Sequence, residues 1–151
     1  MTSTLTWEAS GEVTIVDGRP VFPKVASVPG LYRLGIKNGW WYIGEAGDLQ
    51  RRLSDYSWPG QGVEAEHRIF HALISGGGAT LDIFTQGELA SKSNRCVIEH
   101  REVKAARIEG LNLLNGIGKG NGFALQMSIK YHESEIEKLR LKLNALKLEE
   151  E

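Results

Sequence analysis

The 151-residue sequence holds a single cysteine, Cys96, so it can support neither a disulfide framework nor a cysteine-rich zinc site. It has no apolar run approaching the ~18–20 residues of a membrane span, and no basic-then-apolar export segment opens it. A reducing cytoplasm and no membrane partner are the expectations. An excess of either charge is missing too: 18 Lys and Arg stand against 19 Asp and Glu, a formal net charge of −1. Any polyanion partner must be held by a local field, with salt-sensitive binding. With 41% hydrophobic and 25% charged residues, the chain has enough apolar content for one core and too much for disorder.

The hydrophobic pattern is readable along most of the chain. Gly11 to Phe22 alternates around Asp17-Gly18, which predicts an N-terminal β-hairpin whose second strand, carrying Pro20, lies at an edge. Gly30–Ile36 and Trp40–Gly44 read as two more strands joined at Asn38-Gly39. Asp48 is placed to cap a helix burying Leu49, Leu53 and Tyr56, and Trp58-Pro59-Gly60 ends it. A second helix follows over about Glu64–Ile74, then a strand at Thr80–Thr85. Ser91 or Ser93 caps a third helix running to about Ile108, with Cys96, Val97, Val103 and Ala106 near one face. Cys96 is read there as a small buried residue. Leu111–Asn115 reads as a short apolar loop before a glycine-rich connection.

This order predicts an α+β fold: a small mixed or antiparallel sheet flanked by helices, with the N-terminal hairpin as an extension. Residues 1–127 form the predicted domain and 128–151 a C-terminal helix. There Ile136, Leu139, Leu143 and Leu146 recur at coiled-coil spacing, a seam that either docks on its own domain or joins two chains as a homodimer.

The residues with chemical potential are dispersed. A hairpin can bring Tyr32 and Tyr42 onto one face, and Arg52 lies one turn into the helix that Asp48 caps, beside Tyr56. Glu99 sits on the third helix and Asn115 follows it after sixteen residues. Glu102 rivals Glu99 on the same helix, but the spacing to Val103 and to Leu113-Leu114-Asn115 favours Glu99. A tyrosine–tyrosine–arginine–glutamate–asparagine set on one sheet suits phosphodiester chemistry. His67 and His71 have chelating i, i+4 spacing without an evident third ligand, and His67 is alternatively a leaving-group acid. Arg95, Arg101, Lys104 and Arg107 read as a solvated helix face or a nucleic-acid-facing row.

Glycine 30 to Tyr32 (GLY), residues 41–56 (WYIGEAGDLQRRLSDY), 96–103 (CVIEHREV) and 110–115 (GLNLLN) together resemble the GIY-YIG nuclease family. The resemblance implies a metal-dependent DNA endonuclease. Tyr32 and Tyr42 match the signature tyrosines, one of which takes a proton from water, and Arg52 matches the arginine that steadies the phosphate. Tyr56 falls where relatives carry His or Tyr, Glu99 matches the carboxylate ligand of one Mg²⁺ or Mn²⁺, and Asn115 the supporting asparagine. Leu31 replaces the usual Ile, and Glu45 puts a negative charge near the phosphate site.

The physical requirements agree with that assignment. A phenol with an ordinary pKa of ~10 acts as a base at neutral pH only beside cations. Arg52 and a metal would provide them, and one carboxylate with water and phosphate suffices for Mg²⁺. Arg51 and Lys119 are the further nucleic-acid contacts expected. No zinc finger, helix-turn-helix or long basic arm is visible, so any reading of the substrate falls to residues 1–24, 57–63 or 116–127, to a partner, or to no element at all. The alternative is a non-catalytic nucleic-acid-binding or adaptor module on the same scaffold.

Overall fold

The computed structural model describes residues 5–58, 64–115 and 123–150. Its elements are β1 (Glu8–Val16), β2 (Arg19–Val21), β3 (Gly30–Ile36), β4 (Trp40–Ala46), α1 (Leu49–Ser57), α2 (Glu64–Gly76) and β5 (Ala79–Phe84). A 3-10 turn at Gly87–Ala90, α3 (Lys92–Ile108), β6 (Asn112–Leu113) and α4 (Phe123–Glu150) complete them. The strands form one mixed sheet in the order β2-β1-β5-β3-β4-β6, antiparallel except for the parallel β4–β6 pair. The architecture is α+β.

The expected hairpin forms around Asp17 and Gly18, both at positive φ (51° and 75°), and Val16 pairs with Arg19 to close the two-residue loop. β2, holding Pro20, is an edge strand. The hairpin is no appendage, however. β1 pairs with β5 from Glu8↔Ile83 to Val13↔Ala79, so it extends the central sheet. Leu111–Asn115, expected as a loop, contains β6, whose two residues pair with Trp40 and Trp41. α4 begins at Phe123, earlier than the expected start near Ser128.

Strand parity divides the core in two. Tyr32, Leu34 and Ile36 share a face with Leu81, Ile83 and Ala79 of β5, and that face is covered by Leu49, Leu53 and Tyr56 of α1 and Ile69, Ala72 and Leu73 of α2. Ile43 and Trp41 point the other way, against Val103 and Ala106 of α3 and Leu113 of β6. α3 differs in detail from its sequence reading. Cys96 and Val97 are exposed, while Arg95 is buried at 7% exposure. On α4, Ile136, Leu139, Leu143 and Leu146 are all about half exposed or more, so the predicted seam faces outward.

Asp48 caps α1 as expected, its carboxylate accepting from the Arg51 N–H at 3.1 Å. Asp48→Ala leaves that donor without its partner. The expected cost is about 1 kcal/mol, or roughly 2–4 °C in Tm for a chain of this size. A thermal melt checks it, and an unchanged Tm would show that the cap contributes nothing.

Candidate active site

Three phenols meet beneath α1. Tyr32 comes from β3, Tyr42 from β4 and Tyr56 from α1, with ring centroids 6.0 to 6.5 Å apart. Tyr42 pairs across the sheet with Leu34 and Tyr32 with Gly44, so the two strand tyrosines are diagonal neighbours on one face rather than directly opposed. The Tyr32 and Tyr56 hydroxyls are hydrogen-bonded to each other, and Tyr56 also bonds Tyr42. Gly44 is required here, because a Cβ at that position would overlap the Tyr32 phenol. Tyr32 and Tyr56 are fully enclosed, whereas Tyr42 is only half-buried.

Arg52 lies against this cluster, its guanidinium 5.0 Å from the centroid of Tyr56. Its Nη1 donates to Glu66 of α2 at 2.9 Å, and Asp55 stands 4.0 Å away. Arg68, also from α2 and 9% exposed, brings a second positive charge to bear on Tyr42.

Glu99 approaches from the opposite face of the sheet. β6 covers β4 only at Trp40 and Trp41, and the outward-facing backbone groups beyond need other partners. The Leu114 N–H donates to the Trp41 carbonyl at 2.8 Å. Asn115 then clips Ile43 on both sides, Oδ1 accepting from its N–H at 3.0 Å and Nδ2 donating to its carbonyl at 2.6 Å. Arg107 secures the clip by donating to the Asn115 carbonyl at 2.8 Å, a structural task for a residue read as part of a solvated or nucleic-acid-facing row. Beyond the clip, Glu99 lies beside the Glu45 N–H, which favours its charged form. Glu102 is instead buried at 3% exposure, so Glu99 is the more accessible carboxylate on this helix.

The electrostatics follow from this packing. Burial raises the pKa of Tyr32 well above the ordinary value, and the charges of Tyr56 and Tyr42 add to the effect. Tyr56 is raised mainly by burial, and then by Tyr42. Tyr42 is raised by burial and by the Glu99 charge, against the lowering action of its Tyr56 bond, Arg52 and Arg68. Burial works against the Arg52 charge, but Tyr56, Tyr32 and Tyr42 outweigh it, and its proton is held more tightly than usual. Glu99 is pushed up to about 7 by burial and by the nearby Glu45 carboxylate, despite the Glu45 N–H.

Glu45 itself is paired with Arg95 at 2.8 Å, so its charge is compensated inside the fold. A cleft of about 500 Å³ opens beside Arg52, lined also by Glu45, Arg51, Lys92 and Arg95. A cavity of about 670 Å³ elsewhere is lined by Trp58, Phe70 and Lys138, and none of the three site tyrosines reaches it.

The structure thus brings Tyr32, Tyr42, Tyr56 and Arg52 together, and places Glu99 and Asn115 along the adjoining edge of β4. Lys119 lies outside the described residues. His67 and His71 stack at 6.4 Å, and among the described residues no three His, Cys, Asp or Glu side chains gather as a metal cage. Sequence reasoning missed Glu66, Arg68 and Lys92. The first two lie on a helix whose pairing with α1 leaves no local signal, and Lys92 reads as an ordinary surface lysine. No family model, no curated protein and no solved structure matches this chain. No helix among the described residues is long and apolar enough to cross a membrane.

Because the folded chain holds the Glu99 proton up to about pH 7 and an unfolded carboxyl releases it near 4.5, Glu99 lowers stability as pH rises between those values. Glu99→Gln has no such proton to lose. Its Tm is expected to exceed that of the wild type above pH 8, with the gap closing toward pH 4. A gap independent of pH would contradict this account of Glu99.

Proposed function

We propose that this chain is a GIY-YIG-type endonuclease that hydrolyses DNA phosphodiester bonds with the help of one divalent metal ion. The observation that carries the reading is that Arg52 from one side and Glu99 from the other both act electrostatically on Tyr42, on the part of β4 beyond β6. Such a site holds an arginine for the phosphate, a carboxylate for a cation and a phenol for water activation.

Tyr42 is the base in this reading. It is the least enclosed of the three phenols, whereas Tyr32 is sealed in the core with its hydroxyl bonded to Tyr56. Tyr56 acts through Tyr42, holding its hydroxyl in place. Arg52 hydrogen-bonds the non-bridging oxygens, and those bonds strengthen as charge develops on the pentacoordinate phosphorus. Glu66 holds Arg52 by one Nη and fixes its direction. Asn115 holds the backbone beside Tyr42 and does not contact substrate.

The donor set suits Mg²⁺ or Mn²⁺. Glu99 is half-buried beside a second carboxylate, a setting that disfavours its bare charge and that a cation would relieve. Bound at Glu99, the ion would supply positive charge to the phosphate and cancel the carboxylate charge that, after burial, helps to raise the Tyr42 pKa.

A non-catalytic nucleic-acid-binding module is the second reading. It is favoured by the Glu66 pairing of Arg52 and by three phenols that all hold their protons.

Cleavage of supercoiled plasmid and of branched and single-stranded DNA separates the two. Nicking or linearisation in Mg²⁺ or Mn²⁺, absent in EDTA, is expected. Glu99→Ala, Arg52→Ala and Tyr42→Phe should each lower the rate by about 10²-fold or more. Binding without cutting by the wild type on every substrate would replace the nuclease with the module.

The exposed seam of α4 fits a homodimer, which would present two such sites to the two strands of a duplex. Light scattering is expected to give twice the chain mass, falling to the single-chain mass when Leu139 and Leu143 are both replaced by Glu. A wild type already at the single-chain mass would reject the seam as an interface.

A further inference from the structure

The cleft beside Arg52 has more structure than the cleavage chemistry requires. Its floor is the end of β4 and Gly47. One wall is α1, with Arg51, Arg52 and Asp55, and the other is the start of α3, with Lys92 and Arg95. Two of its four cations are locked in place. Arg52 is held by Glu66, and Arg95 is held by Glu45 at 2.8 Å and by the Leu89 and Ala90 carbonyls at 2.9 and 3.0 Å. Gly47 lies against the Arg95 guanidinium, where a Cβ would stand 3.4 Å from Nη2.

The other two cations, Arg51 and Lys92, are exposed on opposite walls and make no ion pair among the described residues. The lining contains no aromatic side chain on which a base could stack. The lining also carries Glu45, Asp48 and Asp55, of which Glu45 is paired with Arg95 and Asp55 stands 4.0 Å from Arg52. The four cations outnumber these carboxylates, and an open trough continuing from the scissile-phosphate arginine suits a sugar–phosphate backbone rather than bases.

We propose that this cleft is a subsite for phosphates flanking the scissile one, contacted by Arg51 from α1 and Lys92 from α3. The proposal rests on the nuclease reading and names how its substrate strand leaves the site. It places binding in backbone contacts that are indifferent to sequence. Arg95, spent on Glu45 and two carbonyls, positions the floor of the trough and does not itself carry the strand.

The test is binding of a duplex and a single-stranded oligonucleotide in EDTA, over a salt series, with cleavage in Mg²⁺ measured alongside. Arg51→Gln with Lys92→Gln is expected to weaken binding about tenfold or more. The slope of log K against log salt should fall by about 1.4 for single strands and 1.8 for duplex, the release expected for two phosphate contacts. Arg51→Lys with Lys92→Arg, which keeps both charges, should restore most of the affinity. Lys147→Gln, on the far end of α4, should leave the slope unchanged. If the wild type cuts but the double glutamine variant keeps the wild-type affinity and slope, the subsite is wrong and the nuclease stands. If the wild type neither binds nor cuts any of these substrates, the nuclease reading fails and the subsite falls with it.

Discussion

Everything at the candidate site depends on the outer edge of β4. A strand edge inside a fold must find partners for its N–H and C=O groups, and the two residues of β6 cover only its beginning. The next places are filled by the Leu114 amide and the Asn115 carboxamide in succession, and Glu99 lies beside the Glu45 N–H that follows. Asn115 thus satisfies backbone groups and, by doing so, fixes where the segment after α3 can lie, with Glu99 of α3 alongside. The need to complete a sheet edge delivers a carboxylate from one face of the sheet to a phenol on the other.

The same edge explains how charges are distributed. Along β4 the even positions face α1 and α2, where the phenols and Arg52 sit, and the odd positions face α3. Glu45 therefore points toward Arg95 and away from the phenols, and the pairing neutralises a carboxylate that looked misplaced beside a phosphate. Arg52 and Arg95 are each anchored by a close carboxylate, with Asp55 further from Arg52, which costs some of their attraction for an anion and returns a fixed direction. Such pre-set guanidinia lose little freedom when an anion arrives.

Much of this was legible in the sequence, for reasons that are local. Asp17-Gly18 dictates its turn by backbone preference, Asp48 marks the start of α1, and the alternation in β3 and β4 puts Tyr32 and Tyr42 on one face. The readings that failed concern relations between distant segments. β1 looked peripheral because nothing near it announces its pairing with β5, some seventy residues later. Arg95 looked solvated, since a helix of low amphipathicity does not reveal that one arginine is drawn inward by Glu45. Cys96 was assigned inward on residue type, but its helix turns that face to solvent. The full enclosure of Tyr32 and the partial burial of Tyr42 depend on how α1 crosses the sheet, which no spacing encodes.

The sheet order also has a bearing on how the molecule assembles. β3, β4 and α1 are consecutive, so the phenols and Arg52 gather through contacts that are short in sequence and quick to form. Glu99 and Asn115 reach the same edge only after α3 and β6 have folded back across fifty to seventy residues. During synthesis, with earlier residues folding first, the arginine–phenol half stands before the carboxylate half exists. A chain interrupted before α3 is thus left with an uncapped strand edge and an incomplete site, and its exposed edge marks it as unfinished.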